Sequence, residues 1–154
     1  MRLYLVQHCE ALPKDVDPDR PLSGKGREDA RRLAEFLGER GIRVSRVFHS
    51  GKTRARQTAE IIAATVMPDE DGEARAGLNP NDPVEPMAER VSDWEQDAML
   101  IGHLPFMERF AGRLVAGAEE RSIVAFEPGS MVCLERLDPD GWRVAWMLRP
   151  ELFS

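Results

Sequence analysis

The sequence predicts an α/β fold, a three-layer α/β/α sandwich whose mixed, mostly parallel sheet carries antiparallel strands at one side. Short apolar segments alternate with segments of helical periodicity up to residue 117. The C-terminal part then changes to strand patterns separated by turns. A chain of 154 residues has room for one core, so residues 1–154 are expected to form a single domain.

The N-terminal half predicts two strand–helix units. Residues 3–7 form a buried strand, and a polar segment rich in Asp and Pro then extends to Ser23, which can cap a helix that ends at Gly41. Residues 44–48 predict a second strand, followed by a helix that ends before Pro68. The apolar stripes of the two helices are Ala30, Leu33, Ala34 and Leu37, and then Ala55, Ala59, Ile62 and Val66.

The middle of the chain predicts a loop and two further helices around a buried strand. Residues 68–83 look like a long loop with a weak strand over 74–78. Residues 98–101 form an apolar strand that leads to His103, and a helix follows over 104–117. The stripes of the helices before and after this strand are Val84, Met87, Val91 and Trp94, and then Phe106, Phe110 and Leu114.

The C-terminal part predicts three strands. They lie within residues 122–137 and 138–148, with turns at 128–129 and 138–141. Strict alternation places four apolar residues of the last strand on one face: Trp142, Val144, Trp146 and Leu148.

Composition excludes several classes of partner. The 21 basic and 27 acidic residues give a net charge of −6, so the surface as a whole should repel nucleic acid and anionic membranes. The apolar start MRLYLV is too short for a signal peptide, and no apolar run approaches the roughly 20 residues that span a bilayer. The two cysteines lack zinc-site spacing. We therefore expect a reduced, cytoplasmic protein whose anion sites are local.

All three histidines follow predicted strands. His8, His49 and His103 come at the carboxyl ends of the first, second and fourth strands. Because those ends share one edge of a parallel sheet, the following residues should converge there. Imidazoles, Arg54 and the N-terminus of the helix that SGKTR opens would together suit a phosphoryl group. An imidazole can also be the nucleophile, which splits phosphoryl transfer into two steps.

Five ordered segments resemble the histidine phosphatase superfamily, and within it the small SixA-like phosphohistidine phosphatases. VQHCEA stands where the family has its RHG motif, and RPLSGKG precedes the first helix. SGKTRARQTA is similar to the family pattern SPxxRxxQTA, GHLP to the second histidine motif, and WMLRP to the closing stretch. The resemblance covers nearly the whole chain.

The resemblance implies a phosphoglycerate mutase-like fold without a large cap insertion, and a phosphatase that acts through phosphorylated His8. Arg54 and His103 would clamp the phosphoryl oxygens. The other phosphate-binding candidates are Gln7, Arg20 and Ser50. No metal or organic cofactor is expected. The expected partner is a phosphorylated protein or a small phosphorylated substrate, and the oligomeric state stays open.

Two departures from the family define the alternatives. Gln7 replaces the Arg of RHG and removes a fixed charge, while Cys9 replaces its Gly and adds a thiol that we expect to be partly ionised beside an anion pocket. The first alternative is therefore a weakened or inactive relative that binds phosphoryl groups in a regulatory role. The second is a small-molecule phosphomonoesterase, which would need an acid such as Asp82 or Glu85.

Three other residues near these motifs have plainer interpretations. We interpret His49 as a hydrogen-bonding residue beside the pocket. Lys52 and Arg56 are interpreted as solvated helix charges, because only Arg54 falls at the family's arginine position.

Overall fold

The chain is built on a six-stranded sheet, and the structure, a computed structural model, describes residues 1–153. The strands are β1 (Arg2–Gln7), β2 (Arg46–His49), β3 (Glu73–Ala74), β4 (Ala98–Gly102), β5 (Met131–Arg136) and β6 (Trp142–Leu148). The helices are α1 (Gly24–Glu39), α2 (Thr53–Val66), α3 (Glu85–Ser92) and α4 (Phe106–Ala116), followed near the end by a 3₁₀ helix over Pro150–Leu152.

The strand order is β3-β2-β4-β1-β5-β6. The first four strands pair in parallel, whereas β5 and β6 run antiparallel at one side. This confirms the predicted mixed sheet. The carboxyl ends of β1, β2 and β4 therefore lie at the same edge, where His49 ends β2 and His8 and His103 follow β1 and β4.

Alternate strand residues face two separate cores. On one face, α1 and α2 cover residues that include Tyr4, Val6, Met99 and Ile101. On the other face, α3 and α4 cover residues that include Leu3, Leu5, Leu100 and Val132. The sheet is thus the middle layer of the predicted α/β/α sandwich.

The helices begin and end close to the predicted positions. Ser23 caps α1, because its hydroxyl accepts a hydrogen bond from the Gly26 N–H at 3.0 Å. Gly41 lies just beyond the end of α1 with a φ of 67°, a left-handed conformation that glycine adopts without strain. The third helix is shorter than its apolar stripe, since α3 ends at Ser92 and Trp94 lies beyond it.

The strand predicted over residues 74–78 is shorter and starts earlier, as the two residues of β3. These residues pair with Phe48 and His49, where β2 ends, so no partner continues the ladder. Leu78 is fully buried and packs in the core with α3 instead.

The first of the three predicted C-terminal strands is wrong, because residues 122–127 form no strand. Strand β5 is already paired with β1 on one side and β6 on the other, so this segment cannot pair with β5. Its apolar residues Ile123, Val124 and Phe126 pack against the core under α3 and α4 instead. The apolar residues that predicted a strand thus pack over a face of the sheet without pairing as a strand.

The prediction that four apolar residues of β6 share one face is also wrong. Cys133 pairs with Trp146 but Leu134 pairs with Val144, so Ala145 is an extra residue. Such a β-bulge reverses the alternation. Trp142 therefore joins the core under α3 and α4, whereas Trp146 and Leu148 pack on the side of α1 and α2.

Within the described part of the chain, no helix has both the length and the apolar character needed to cross a membrane.

Candidate active site

His8 follows β1 directly and is held by its own loop. Its backbone N–H donates to the Gly102 carbonyl at 2.9 Å, which ties it to the end of β4. Its Nδ1 lies 2.7 Å from the carbonyl oxygen of Cys9. Because a carbonyl can only accept, Nδ1 carries the proton and Nε2 carries the lone pair.

Burial keeps His8 neutral. The side chain is buried, and loss of solvation lowers its pKa from 6.5 to about 4, with the positive charges of Arg54 and Arg20 acting in the same direction. The bond to Cys9 opposes this shift without cancelling it. At neutral pH the imidazole is therefore uncharged, with the proton on Nδ1 and a lone pair on Nε2.

His103 follows β4 and faces His8. The two ring centres are 5.1 Å apart. Nε2 of His103 lies 2.6 Å from the hydroxyl oxygen of Ser50, which follows β2. Nδ1 of His103 is buried without a hydrogen-bond partner among residues 1–153. Burial, and after it the charges of His8, Arg54, Lys52 and Arg20, lower the pKa of His103 from 6.5 to about 3.

Arg54 and Arg20 add fixed positive charge to the two imidazoles. Burial and then the charge of Arg20 lower the pKa of Arg54. Neither side chain, nor that of Lys52, forms a salt bridge within the described residues. Every charge that shifts the pKa of His8, His103 or Arg54 is positive. A net acidic protein thus concentrates uncompensated positive charge at one edge of its sheet, which favours an anion.

Arg20 is held in a left-handed backbone conformation, with a φ of 48°. Its N–H donates to the Asp17 carbonyl at 3.0 Å, and its Nε donates to the Leu12 carbonyl at 3.1 Å. Such a conformation costs energy in a residue other than glycine, and strained residues of this kind cluster at functional sites. The loop over residues 10–22 therefore fixes the position of this guanidinium.

The N-terminus of α2 adjoins this region, because the Lys52 N–H donates to the Ser50 hydroxyl that contacts His103. Lys52 stands at the N-cap position without a side-chain cap. Arg54 is the second residue of α2, so its side chain leaves the helix in the same first turn that has free N–H groups. The positive end of the helix dipole adds to the anion-binding character of the cluster.

Gln7 occupies the end of β1. Its backbone is fixed by Gly129, whose N–H donates to the Gln7 carbonyl, and by the Ser130 carbonyl, which accepts the Gln7 N–H at 3.1 Å. The side-chain oxygen Oε1 is buried and has no partner within residues 1–153. A buried acceptor without a partner costs about 1–3 kcal/mol, and only a hydrogen-bond donor could recover that energy.

Two residues of the SGKTRARQTA segment hold the site together, in roles that the sequence alone did not reveal. The hydroxyl of Thr58 accepts the Cys9 N–H at 3.1 Å and donates to the Arg54 carbonyl at 2.8 Å. Oε1 of Gln57 accepts the Leu22 N–H at 2.8 Å. These bonds fasten the His8 loop and the end of the Arg20 loop to α2.

The RPLSGKG segment completes the support of the His8 loop. The Glu10 carbonyl accepts the Ser23 N–H at 2.9 Å, at the start of α1. A Cβ on Gly26 would lie 2.0 Å from this carbonyl oxygen, so only glycine fits there. The glycine thus lets α1 pack directly against the backbone that follows His8.

The expectation of a partly ionised Cys9 is wrong. The thiol is fully buried and packs with Leu22, Ala30 and Ile61 rather than in the anion pocket. Burial raises its pKa to about 12, which keeps it protonated. Cys9 is therefore a small packing residue beneath the site.

His49 does not converge with the other two imidazoles. Its Nδ1 accepts the Gly51 N–H at 3.0 Å, and its ring lines a different cavity, of about 520 Å³, between α2 and residues 68–72. Arg56 lines the same cavity, is exposed and pairs with Glu60 at 2.8 Å. Arg56 is thus a solvated helix charge, as predicted.

The two candidate proton donors are both engaged elsewhere. Oδ2 of Asp82 accepts the Asn79 N–H at 2.9 Å and closes a turn. Glu85 receives two hydrogen bonds of 2.8 Å from Arg113, and these bonds, together with the charge of Arg113, hold the pKa of Glu85 below its usual value. Arg113 lies seven residues into α4, about 10 Å along the helix from the end that follows His103.

Residues 1–153 contain no cluster of three or more His, Cys, Asp or Glu that could hold a metal ion.

Comparisons with known proteins place this geometry in a family. The sequence profile described as "Histidine phosphatase superfamily (branch 1)" matches residues 3–79, half of the 154 residues. An uncharacterized protein of Picosynechococcus is 32% identical over an alignment of 124 residues that covers 76% of this chain and 74% of that protein.

Two solved structures share the fold. A structure of the protein histidine phosphatase SixA complexed with tungstate superposes with a TM-score of 0.87 at 21% identity, over 100% of both chains. The α-ribazole phosphatase of Shigella flexneri superposes with a TM-score of 0.76 at 17% identity, over 94% of this chain and 95% of the other. The chain belongs to branch 1 of the histidine phosphatase superfamily.

Proposed function

We propose that this chain is a phosphohydrolase that transfers a phosphoryl group first to Nε2 of His8 and then to water, without a metal ion. The observation that carries the proposal is the hydrogen bond from His8 Nδ1 to the Cys9 carbonyl. It leaves a neutral imidazole with a free Nε2 beside Arg54 and His103, where positive charge is uncompensated.

The first step forms a phosphohistidine. The lone pair of Nε2 attacks phosphorus, the bond from phosphorus to the leaving atom breaks, and the leaving atom keeps the electron pair and takes a proton from water. Arg54 and His103 bind the equatorial oxygens. The approaching anion raises the pKa of His103, so this imidazole takes up a proton and becomes a charged donor. Gln7 offers its amide N–H, and Ser50 steadies His103.

The second step regenerates the enzyme. Water attacks the phosphorus, the bond between phosphorus and Nε2 breaks, and the water gives up a proton to solvent. Inorganic phosphate leaves and Nε2 is again unprotonated. The bond to Cys9 holds the imidazole in one orientation through both steps.

The favoured substrate is phosphohistidine in a protein. An imidazole leaves readily, because the pKa of a free histidine side chain is about 6.5, whereas an alkoxide needs a proton from an acid. Asp82 and Glu85 are both bound to other groups, which supports a substrate that needs no acid. The fold is also similar to that of a protein histidine phosphatase that binds tungstate, a tetrahedral oxyanion.

Substrate preference tests this proposal. We expect kcat/KM for phosphohistidine and phosphoramidate to exceed that for phenyl phosphate by about 100-fold or more, the contribution of one general acid. Asp82→Asn and Glu85→Gln should leave both activities unchanged. Two results together would instead identify a small-molecule phosphomonoesterase. The wild type would hydrolyse phenyl phosphate as fast as phosphohistidine, and Asp82→Asn or Glu85→Gln would lose the activity toward phenyl phosphate.

The acid limb of the pH profile tests the state of His8. Nucleophilic attack needs the neutral imidazole, and kcat/KM reports the free enzyme. Because the pKa of His8 is lowered to about 4, kcat/KM for a substrate stable in acid should stay level down to about pH 5 and fall as the pH drops through 4. A fall centred near 6.5 would contradict a desolvated His8.

A second candidate function rests on Gln7, which replaces a fixed positive charge by a neutral amide. In that case the chain binds phosphoryl groups in a regulatory role but turns them over slowly or not at all. Calorimetric titration with inorganic phosphate and a phosphohistidine peptide distinguishes the two functions. Micromolar binding without turnover of any phosphorylated substrate would favour the regulatory protein.

A further inference from the structure

His49 is a buried imidazole that the proposed reaction does not use. It is 5% exposed and forms the last residue of β2, where it pairs with Ala74 and Ile101. Its carbonyl accepts the Arg75 N–H at 2.8 Å. The backbone of His49 is therefore fixed by strands on both sides, so its ring extends from a rigid support.

The ring makes a hydrogen bond that fixes its tautomer. Nδ1 lies 3.0 Å from the backbone nitrogen of Gly51, which can only donate. Nδ1 must therefore carry the lone pair and Nε2 the proton, the opposite of the arrangement in His8. Among the described residues, no group forms a hydrogen bond with Nε2. The ring is therefore held by the hydrogen bond at Nδ1.

The bond holds the turn that places Ser50. Gly51 has a φ of 92°, so the turn needs a glycine at this position. The hydroxyl of Ser50 accepts the Lys52 N–H at 3.3 Å and lies 2.6 Å from Nε2 of His103. His49, Ser50 and His103 thus form a chain of contacts that runs from the end of β2 to the anion pocket.

The same turn starts the helix that carries Arg54. Lys52, at the N-cap of α2, provides no side-chain cap, so the turn over residues 49–52 is fixed by the bonds to His49 Nδ1 and Ser50 Oγ. A displacement of about 1 Å in a positioning group can cost about 100-fold in rate. Loss of the His49 bond would free Ser50 and the first turn of α2 together.

We propose that His49 is a positioning residue that, through an unprotonated Nδ1, holds the Ser50–Gly51 turn so that Ser50 orients His103 and Arg54 faces the phosphoryl group. The inference rests on the proposed phosphohydrolase function for its kinetic consequence. The hydrogen-bond arrangement itself does not depend on that function.

A pair of substitutions tests the role of Nδ1. Oδ1 of Asn stands near the position of Nδ1 and can accept the same N–H, whereas Leu has similar bulk and no acceptor. We expect His49→Leu to lower kcat/KM for phosphoramidate by about 10- to 100-fold. His49→Asn should restore most of the loss. Equal activities of the two variants, whether both impaired or both normal, would overturn the proposal.

Coupling to Ser50 separates positioning from a general loss of stability. If His49 acts through Ser50, the effects of His49→Leu and Ser50→Ala should be non-additive in a double-mutant cycle, with the double variant little worse than the poorer single variant. Additive effects would overturn the proposed route. Thermal unfolding of each variant identifies any loss that reflects unfolded protein.

Two measurements without turnover distinguish failure of this inference from failure of the proposed function. Long-range ¹H–¹⁵N NMR should show His49 with Nδ1 unprotonated and His8 with Nε2 unprotonated. Calorimetry should show weaker inorganic phosphate binding in His49→Leu than in His49→Asn. If the wild type hydrolyses nothing yet gives both results, the proposed function fails and the role of His49 stands. A protonated Nδ1 in His49 overturns that role even in an active enzyme.

Discussion

Substitution of His8 by Ala is expected to lower kcat/KM for phosphoramidate by about 10⁴-fold or more, because no other group can accept the phosphoryl group. The neutral imidazole with a free Nε2 is lost, whereas Arg54, Arg20 and His103 remain. The variant should therefore still bind inorganic phosphate. Added imidazole can enter the space left by the ring and should restore part of the turnover.

His8→Asn is the matched control for this substitution. Its Nδ2–H can still donate to the Cys9 carbonyl, as His8 Nδ1 does, so the loop should keep its conformation. It offers no nucleophile, and we expect it to be as inactive as His8→Ala. An active His8→Asn would mean that His8 supports the loop and that another group carries out the chemistry.

Gln7→Arg is expected to raise kcat/KM by about 100- to 1,000-fold, the gain from one added donor to the transition state. The side-chain oxygen of Gln7 is buried and has no partner within residues 1–153, and an oxygen cannot donate a hydrogen bond to a phosphoryl group. A guanidinium would supply both a fixed charge and two parallel donors for phosphoryl oxygens. Steady-state kinetics with phosphoramidate measures the gain.

The same substitution should lower the thermal midpoint when no phosphate is present. Arg54 already has a lowered pKa because of burial and the charge of Arg20, so a third guanidinium adds repulsion. Phosphate should restore the midpoint more strongly than in the wild type. Gln7→Met, of similar volume and without a donor, is the control and should lose activity. An unchanged rate in a folded, phosphate-binding Gln7→Arg would show that more than one charge has been lost.

The order of the motifs predicts correctly that His8 and His103 meet at the edge of the sheet, but it also places His49 there, and His49 lines a different cavity. His8 and His103 follow buried strands whose neighbours in the sheet can be inferred from the strand–helix alternation. Arg54 and Ser50 are set by the short turn between β2 and α2. The strand ends account for the two histidines, whereas Arg54 is distinguished from Lys52 and Arg56 only by the family pattern that SGKTRARQTA resembles.

Other features depend on distant neighbours and could not be predicted in this way. The bonds from Gln57 to Leu22 and from Thr58 to Cys9 join residues 35 and 49 positions apart. The bulge at Ala145 leaves no signal in the apolar pattern of β6. Because of this bulge, residues that strict alternation would place on one face of the sheet lie on opposite faces. The segment over 122–127 alternates like a strand, yet both edges of β5 are already occupied.

Cys9 shows how an adjacent position in sequence can mislead. It follows His8 directly, so a thiol in the anion pocket is a reasonable expectation. The loop turns the side chain toward Leu22 and Ala30 instead, where burial keeps it protonated. The direction of a side chain in a loop depends on the backbone bonds that fix it, here the one from Cys9 to Thr58.

Trapping of the covalent intermediate tests the central claim most directly. Wild-type protein and Gln7→Arg would be mixed with phosphoramidate, quenched in alkali within the first turnover and digested for mass spectrometry. We predict one added phosphoryl group on His8, stable to alkali and labile to acid, that is absent from His8→Asn. Turnover without phosphorylated His8, or the same phosphoryl group on another residue of both proteins, would contradict the account.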